Sequence, residues 1–251
     1  MRVLSLFAGI GGMDIGLERA GMTTVAFCEI DPFCRAVLRK HWPDVPQFED
    51  VRKLRGEDVG PVDLVCGGYP CQPFSTAGKR GGAEDDRHLW PEMFRIISEL
   101  RPTWVLGENV AGHITLGLDE VLSDLDALGY ASRAFVIPAC AVDAPHRRDR
   151  VWIVAHSNVR GKHALPVDAE MAGAPPASTN PSSAIGNRVG TIKGRQQRRP
   201  SDGNWWPAAP GVSRVDDGLP DRTHRIRSLG NSIVPQVAEE IGRAIMRVQH
   251  D

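Results

Sequence analysis

Along the chain, short runs of apolar residues alternate with stretches whose apolar positions return every three or four residues. Residues 2–7 (RVLSLF) have the length and content of a buried strand, and a helical pattern follows at 13–19. A second strand is predicted at 24–28 and a helix at 32–41, where Phe33 with Val37 and Cys34 with Leu38 form one inward face. Further strands are predicted at 45–48, 62–66, 103–106, 132–137 and 151–155, with helices at 89–100 and 116–128 among them. From residue 156 to about residue 221 the periodicity is lost in a stretch rich in Pro, Ala, Ser, Gly and Arg, which reads as a small insert domain or a long loop region. A last amphipathic helix, 234–248, carries Val237, Ile241, Ile245 and Val248 as its apolar stripe. Strands alternating with helices predict an α/β fold with a doubly wound, mostly parallel sheet, and such sheets bind ligands at the carboxyl ends of their strands.

The predicted strand ends are where polar chemistry collects. Ala8-Gly9-Ile10-Gly11-Gly12 follows the first strand, and a glycine turn there lets a ligand approach the backbone while the helix N-terminus points at it. Glu29 and Ile30 close the second strand, the place where nucleotide-binding sheets put an acid on ribose hydroxyls. The glycines are spaced GxGG and not GxGxxG, which argues against a dinucleotide and leaves room for another adenosine-bearing cofactor; a purely structural turn is the alternative. Asp50 and Val51 follow the third apolar run, with the acid either on the same rim or capping a helix. Glu108 and Asn109 follow the run at 103–106. Arg148 and Arg150 alternate beside the strand at 151–155, so they share a face on which they can meet an anion or a carbonyl oxygen.

The run at 62–66 breaks into Gly67-Gly68 and then Pro70-Cys71-Gln72-Pro73. Two prolines and a glycine pair pack poorly, so the thiol of Cys71 is presented at a strand end among the other candidate residues. The competing reading is a small buried apolar residue, which is what most free cysteines are.

Composition narrows the setting. With 251 residues, 41% of them hydrophobic and 24% charged, the chain is an ordinary globular one with a single main core, and it contains no apolar run long enough to span a bilayer. The N-terminus breaks into glycines too soon for a signal peptide, and five cysteines without CxxC or Cys/His spacing predict reduced thiols and no metal; the expected location is cytoplasmic. A net charge of -1 does not advertise a nucleic-acid partner, but Arg188, Lys193, Arg195, Arg198 and Arg199 cluster without an acid between them, fitting either a phosphate backbone or a solvated loop.

With those residues in hand, the chain resembles the DNA cytosine-5 methyltransferases of bacterial and phage type over nearly its whole length. Phe7-Ala8-Gly9-Ile10-Gly11-Gly12 looks like the family's cofactor loop, Pro70-Cys71-Gln72 like its nucleophile motif and Glu108-Asn109-Val110 like its ENV motif. Arg148-Asp149-Arg150 matches RxR, and Gly230-Asn231-Ser232 matches the C-terminal GN motif. The resemblance implies a Rossmann-like methyltransferase of the EC 2.1.1.37 type that binds S-adenosylmethionine, releases S-adenosylhomocysteine and acts on double-stranded DNA. It implies Cys71, Glu108, Arg148 and Arg150 as catalytic residues, and Phe7, Gly9, Ile10, Gly11, Gly12, Glu29, Ile30, Asp50, Val51, Gly68, Pro70, Leu89, Asn231 and Ser232 around the cofactor. Gln72, Ser75, Asn109, Arg188 and Arg195 are the residues expected at the DNA.

By the same resemblance, residues 1–156 form the catalytic and cofactor-binding domain, 157–217 a small target-recognition region, and 218–251 a segment returning to the catalytic domain. A monomer is expected, with room for a companion restriction endonuclease. Family members commonly carry Gln where His146 stands and often Asp where Ser5 stands, so neither joins the site. Two rivals share the pattern: a tRNA cytosine-5 methyltransferase of similar fold, and a catalytically silent nucleic-acid-binding module, which is expected to have lost Cys71 or Glu108.

Overall fold

The computed structural model describes residues 1–70, 88–157, 189–191 and 228–250. Cys71, Gln72, Ser75, Arg188 and Arg195 lie outside the described residues, as do Lys193, Arg198 and Arg199. The strands are β1 (Arg2–Leu6), β2 (Thr23–Cys28), β3 (Gln47–Phe48), β4 (Leu64–Gly67), β5 (Trp104–Val110), β6 (Tyr130–Pro138), β7 (Asp149–Ser157) and β8 (Val189–Thr191). The helices are α1 (Gly12–Arg19), α2 (Pro32–His41), α3 (Gly56–Val59), α4 (Trp90–Leu100), α5 (His113–Leu116), α6 (Leu118–Ala127) and α7 (Pro235–His250).

One sheet contains all eight strands in the order β3-β2-β1-β4-β5-β7-β6-β8. The order turns back after β3, so strands on either side of β1 and β4 open a crevice at their carboxyl ends, where doubly wound sheets bind ligands. β7 alone runs antiparallel, against both β5 and β6. Buried side chains fill both faces. Leu4, Leu6, Val65, Met93, Ile97, Val121 and Leu125 form the core under α4 and α6, and Val3, Leu17, Leu64, Leu106, Trp152, Val237 and Ile245 form the core under α1 and α7. The α1–α7 contact depends on a missing side chain: a Cβ at Gly16 would collide with the carbonyl oxygen of Pro235 and sit 2.7 Å from Ala238 Cβ.

The doubly wound, mostly parallel sheet is as the alternation predicts, and four details differ. The third strand shrinks to Gln47–Phe48, because Pro46 has no N–H to donate and contributes only its carbonyl, 2.9 Å from Phe27 N. The strand predicted at 103–106 runs on through Val110, so Glu108 and Asn109 lie inside β5 and not beyond it; β7 lies alongside and pairs with it residue by residue as far as Val110 with Arg150. The single helix predicted at 116–128 is two, α5 and α6, separated at Gly117. The stretch read as irregular after residue 156 adds β8 to the sheet edge, three residues too few to show a period of two.

Candidate active site

Strand register sets the rim. Leu6 lies level with Cys28 on one side and with Gly67 on the other, and Gly67 lies level with Gly107. Glu29, Phe7, Gly68 and Glu108, each one residue further on, therefore stand side by side across β2, β1, β4 and β5, at the ends of the first three and within the last. Asp50 follows β3 at the end of the same row, and its carboxyl accepts Arg52 N at 3.0 Å in a tight turn.

At the β1 end, Phe7, Gly9 and Gly11 all adopt left-handed backbone angles (φ 52°, 56° and 83°), which curl the loop under the start of α1. Glu29, 9% exposed, anchors that loop: Gly9 N donates to Oε2 at 2.7 Å and Asp31 N to Oε1 at 2.8 Å. Each carboxylate oxygen keeps a further lone pair, so ribose hydroxyls can still be accepted there. Ile30 beside it is 63% exposed, an apolar surface left uncovered next to an acid. Gly12 meets the C-terminal segment so closely that a Cβ would lie 2.6 Å from Ser232 Oγ and 2.7 Å from Ile233 O, while Asn231 stays exposed above it. Beneath the loop, Asp14 is fully buried and accepts from Ser5 Oγ at 3.0 Å and Thr24 Oγ1 at 3.2 Å. Burial pushes its carboxyl up to about 7 against the pull of those two hydroxyls. This buried acid from α1, held by Ser5 and Thr24, is a contact that no local pattern in the sequence signals.

At the β5 end, Glu108 is buried and forms an ion pair with Arg150 Nε at 2.9 Å. Burial raises its carboxyl to about 6, opposed by the charges of Arg150 and Arg148. A carboxyl so placed exchanges a proton near neutral pH, as an acid acting on a base must. Gly68 lies against it, with a Cβ there reaching Oε2 at 3.1 Å.

Two of the expected site residues hold distant backbone. Arg148, with φ 37°, turns away from its neighbour and donates to the carbonyls of Gly230 at 2.8 Å and Ser232 at 2.9 Å, so it clamps the C-terminal segment onto the site. Asn109 is 5% exposed, and its amide donates to Tyr69 O at 3.0 Å, holding the chain that enters the cysteine loop. Leu89 caps α4, and its N–H reaches Pro70 O at 3.4 Å, so the chain on either side of residues 71–87 is tied together. Val51 is buried, and its carbonyl accepts Arg95 Nη2 at 2.8 Å.

Of the four described cysteines, Cys28, Cys34 and Cys66 are buried. Burial pushes the Cys28 thiol up to about 12 and that of Cys66 well above the ordinary range, which makes both poor nucleophiles.

The family model for C-5 cytosine-specific DNA methylase matches residues 1–205. The chain is 38% identical over 164 residues to Type II methyltransferase M2.BsuMI of Bacillus subtilis, across 62% of this chain and 42% of the relative. To Type II methyltransferase M.NgoMIV of Neisseria gonorrhoeae it is 38% identical over 160 residues, across 62% and 51%. Among solved structures, one described as a DNA modification methyltransferase encoded within an E. coli prophage superposes with a TM-score of 0.55 at 26% identity, covering 63% of this chain and 47% of that one. The chain spans about half the length of these relatives. With the family model running from β1 through the acid-bearing β5 to β8, the chain belongs to the C-5 cytosine-specific DNA methylase family.

Proposed function

We propose that the chain transfers the methyl group of S-adenosylmethionine to carbon 5 of a cytosine flipped out of double-stranded DNA, through a covalent adduct with Cys71. The observation that carries this reading is Glu108: a buried carboxyl with its proton affinity raised to about 6, paired with Arg150, one strand away from the exit to Cys71.

The rim fits the cofactor. Glu29 has lone pairs for two ribose hydroxyls, the exposed Ile30 offers an apolar face to adenine, and the open space around Gly9 leaves the backbone of the glycine loop accessible to a ligand. When bound, S-adenosylmethionine supplies an electrophilic methyl group, and everything else falls on the chain.

Carbon 5 of cytosine is too weak a nucleophile unaided. The Cys71 thiolate adds to carbon 6, forming a C–S bond and giving carbon 5 enamine character. Glu108 in its protonated form donates at ring nitrogen 3, stabilising the charge that this addition creates. Arg150 sits beside Glu108, where it can hold the base's carbonyl oxygen as well. Once carbon 5 carries the methyl group, its proton passes to water, the electrons of that C–H bond form the C5–C6 double bond, and the C–S bond breaks to restore the Cys71 thiolate. Because carbon 6 is hidden in a stacked duplex, the base must be flipped out at a cost of a few kcal/mol.

Residues 157–217 are the part available to read neighbouring bases, and residues 218–251 return to complete the cofactor side, a reading that the Arg148 clamp and the α1–α7 contact support. The Type II designation of the relatives supports a restriction–modification setting with a companion endonuclease. A duplex carrying 5-fluorocytosine tests the chemistry. The wild-type chain should be trapped covalently, since fluorine replaces the proton that must leave, and Cys71→Ser should not be. A chain that methylates normal duplex while Cys71→Ser retains near wild-type turnover would overturn the adduct.

A further inference from the structure

Tyr69 lies two residues before Cys71 and is 2% exposed. Its ring packs against Trp90, with centroids 5.1 Å apart, and meets the edge of His113 at 5.5 Å. Its hydroxyl is 2.8 Å from His113 Nε2, and its carbonyl takes the Asn109 amide at 3.0 Å. Burial pulls the His113 ring down to about 4, with the charge of His88 acting the same way, so the ring is neutral at physiological pH and Nε2 can accept the tyrosine proton.

The origin of these partners matters. Asn109 follows Glu108 directly, and His113 opens α5 three residues after β5 ends, so these two partners of Tyr69 belong to the segment that carries the acid. The nucleophile and the acid come from neighbouring strands and must reach carbon 6 and nitrogen 3 of one small ring. A misplacement of about 1 Å between such groups costs on the order of 100-fold in rate. Tyr69 spans from the exit of β4 to the far end of β5 with both its main chain and its side chain held. Pro70 then continues with a fixed backbone angle, so Tyr69 sets the point from which the chain leaves β4 toward residue 71.

We propose that His113 is a positioning residue for methyl transfer: through its hydrogen bond to Tyr69 it fixes the chain entering Cys71 against the strand that carries Glu108. This rests on the function proposed above. Tyr69→Phe keeps the ring packing and removes the bond, and His113→Leu removes it from the other side. Each should lower kcat by about 10- to 100-fold with KM for DNA and for S-adenosylmethionine unchanged. His113→Gln, whose amide oxygen can take the place of Nε2, should recover most of the loss. The double variant should be no slower than His113→Leu alone, because both remove the same bond. Tyr130→Phe is the control, losing a buried 2.6 Å bond to Pro102 O at the opposite end of the sheet; it should lose stability without losing kcat.

A second arm needs neither DNA nor cofactor. The rate at which Cys71 is alkylated should change several-fold in Tyr69→Phe and His113→Leu and not in Tyr130→Phe. Wild-type kcat and alkylation rate in Tyr69→Phe would overturn the proposal, whether or not His113→Leu folds, and so would a loss that His113→Gln fails to recover. A wild-type chain that methylates no DNA would overturn the functional reading instead, and the alkylation arm would still decide the positioning role.

Discussion

Glu108 shows how a single side chain carries opposing influences. Burial favours its neutral form and the two arginines favour its charged form, and the balance at about 6 leaves about a tenth of it protonated at pH 7. If that proton serves the base, kcat/KM falls as pH rises above about 6. Removing the Arg150 charge with Arg150→Met lets burial win further, so the fall should move to higher pH while overall activity drops; a pH–rate profile that stays in place would remove Arg150 from the control of Glu108. Glu29 is tested by binding. Glu29→Ala removes the anchor of Gly9 as well as the ribose acceptor, and calorimetry should show S-adenosylmethionine binding weakened by about 1.5–3 kcal/mol, the range for a charged hydrogen bond. Asp14 makes stability depend on pH. Its folded carboxyl, raised from 3.8 to about 7, holds a proton that the unfolded chain releases near pH 4, so its contribution to stability is full below pH 4 and is lost as pH rises through about 7. Urea unfolding of Asp14→Asn at pH 5 and pH 8 should show the variant gaining on the wild type at the higher pH.

At the level of elements, the contact between α1 and α7 joins the cofactor loop to the C-terminal segment. α7 approaches α1 at Gly16, and the residues just before α7 press on Gly12. Gly16→Ala gains roughly 0.5–1 kcal/mol in helix preference, and its Cβ must push Pro235 and Ala238 away at a cost of about 1–3 kcal/mol. The expected outcome is a net loss of stability in urea, accompanied by weaker cofactor binding because Ser232 moves with α7. A variant as stable as the wild type would show that the helices separate without cost. β7 has a comparable role on the other side. Running antiparallel beside β5, it puts Trp152 opposite Glu108 and brings Arg150 within reach of the carboxylate.

At the scale of the whole molecule, the function proposed above would place both cofactor and flipped base in the crevice, leaving the sheet little surface for reading neighbouring bases. Sequence choice is expected to reside in residues 157–217, where Arg188, Lys193, Arg195, Arg198 and Arg199 suit guanine edges or phosphates, and to cover about four or five base pairs. Alanine at a phosphate contact should weaken binding to all sequences and flatten its salt dependence, whereas alanine at a guanine contact should relax one position at a cost of about 1–3 kcal/mol. Sequencing the methylated sites for the five variants separates the two; unchanged choice in all five would put recognition elsewhere in the chain.

The alternation of short apolar runs with amphipathic stretches determined the doubly wound sheet by itself, because strand and helix periods are local properties of a dozen residues. The same runs fixed where the carboxyl ends fall, and so Glu29 and Asp50 were legible as rim residues before any contact was known, whereas Phe7 and Gly68 came from the family resemblance. Glu108 was legible as a site residue but misplaced by one element, since the length of β5 depends on β7, which lies forty residues further along the chain and pairs with it only in the folded molecule. The backbone contacts of Arg148 and Asn109 were not legible at all. Their types suit a ligand, yet each binds backbone far away in sequence, Arg148 at Gly230 and Ser232 and Asn109 at Tyr69. Ser5 with Asp14 and Tyr69 with His113 are of the same kind. Which polar groups face a ligand and which face each other depends on who is nearby once the strands are in register, and only the tertiary structure decides that.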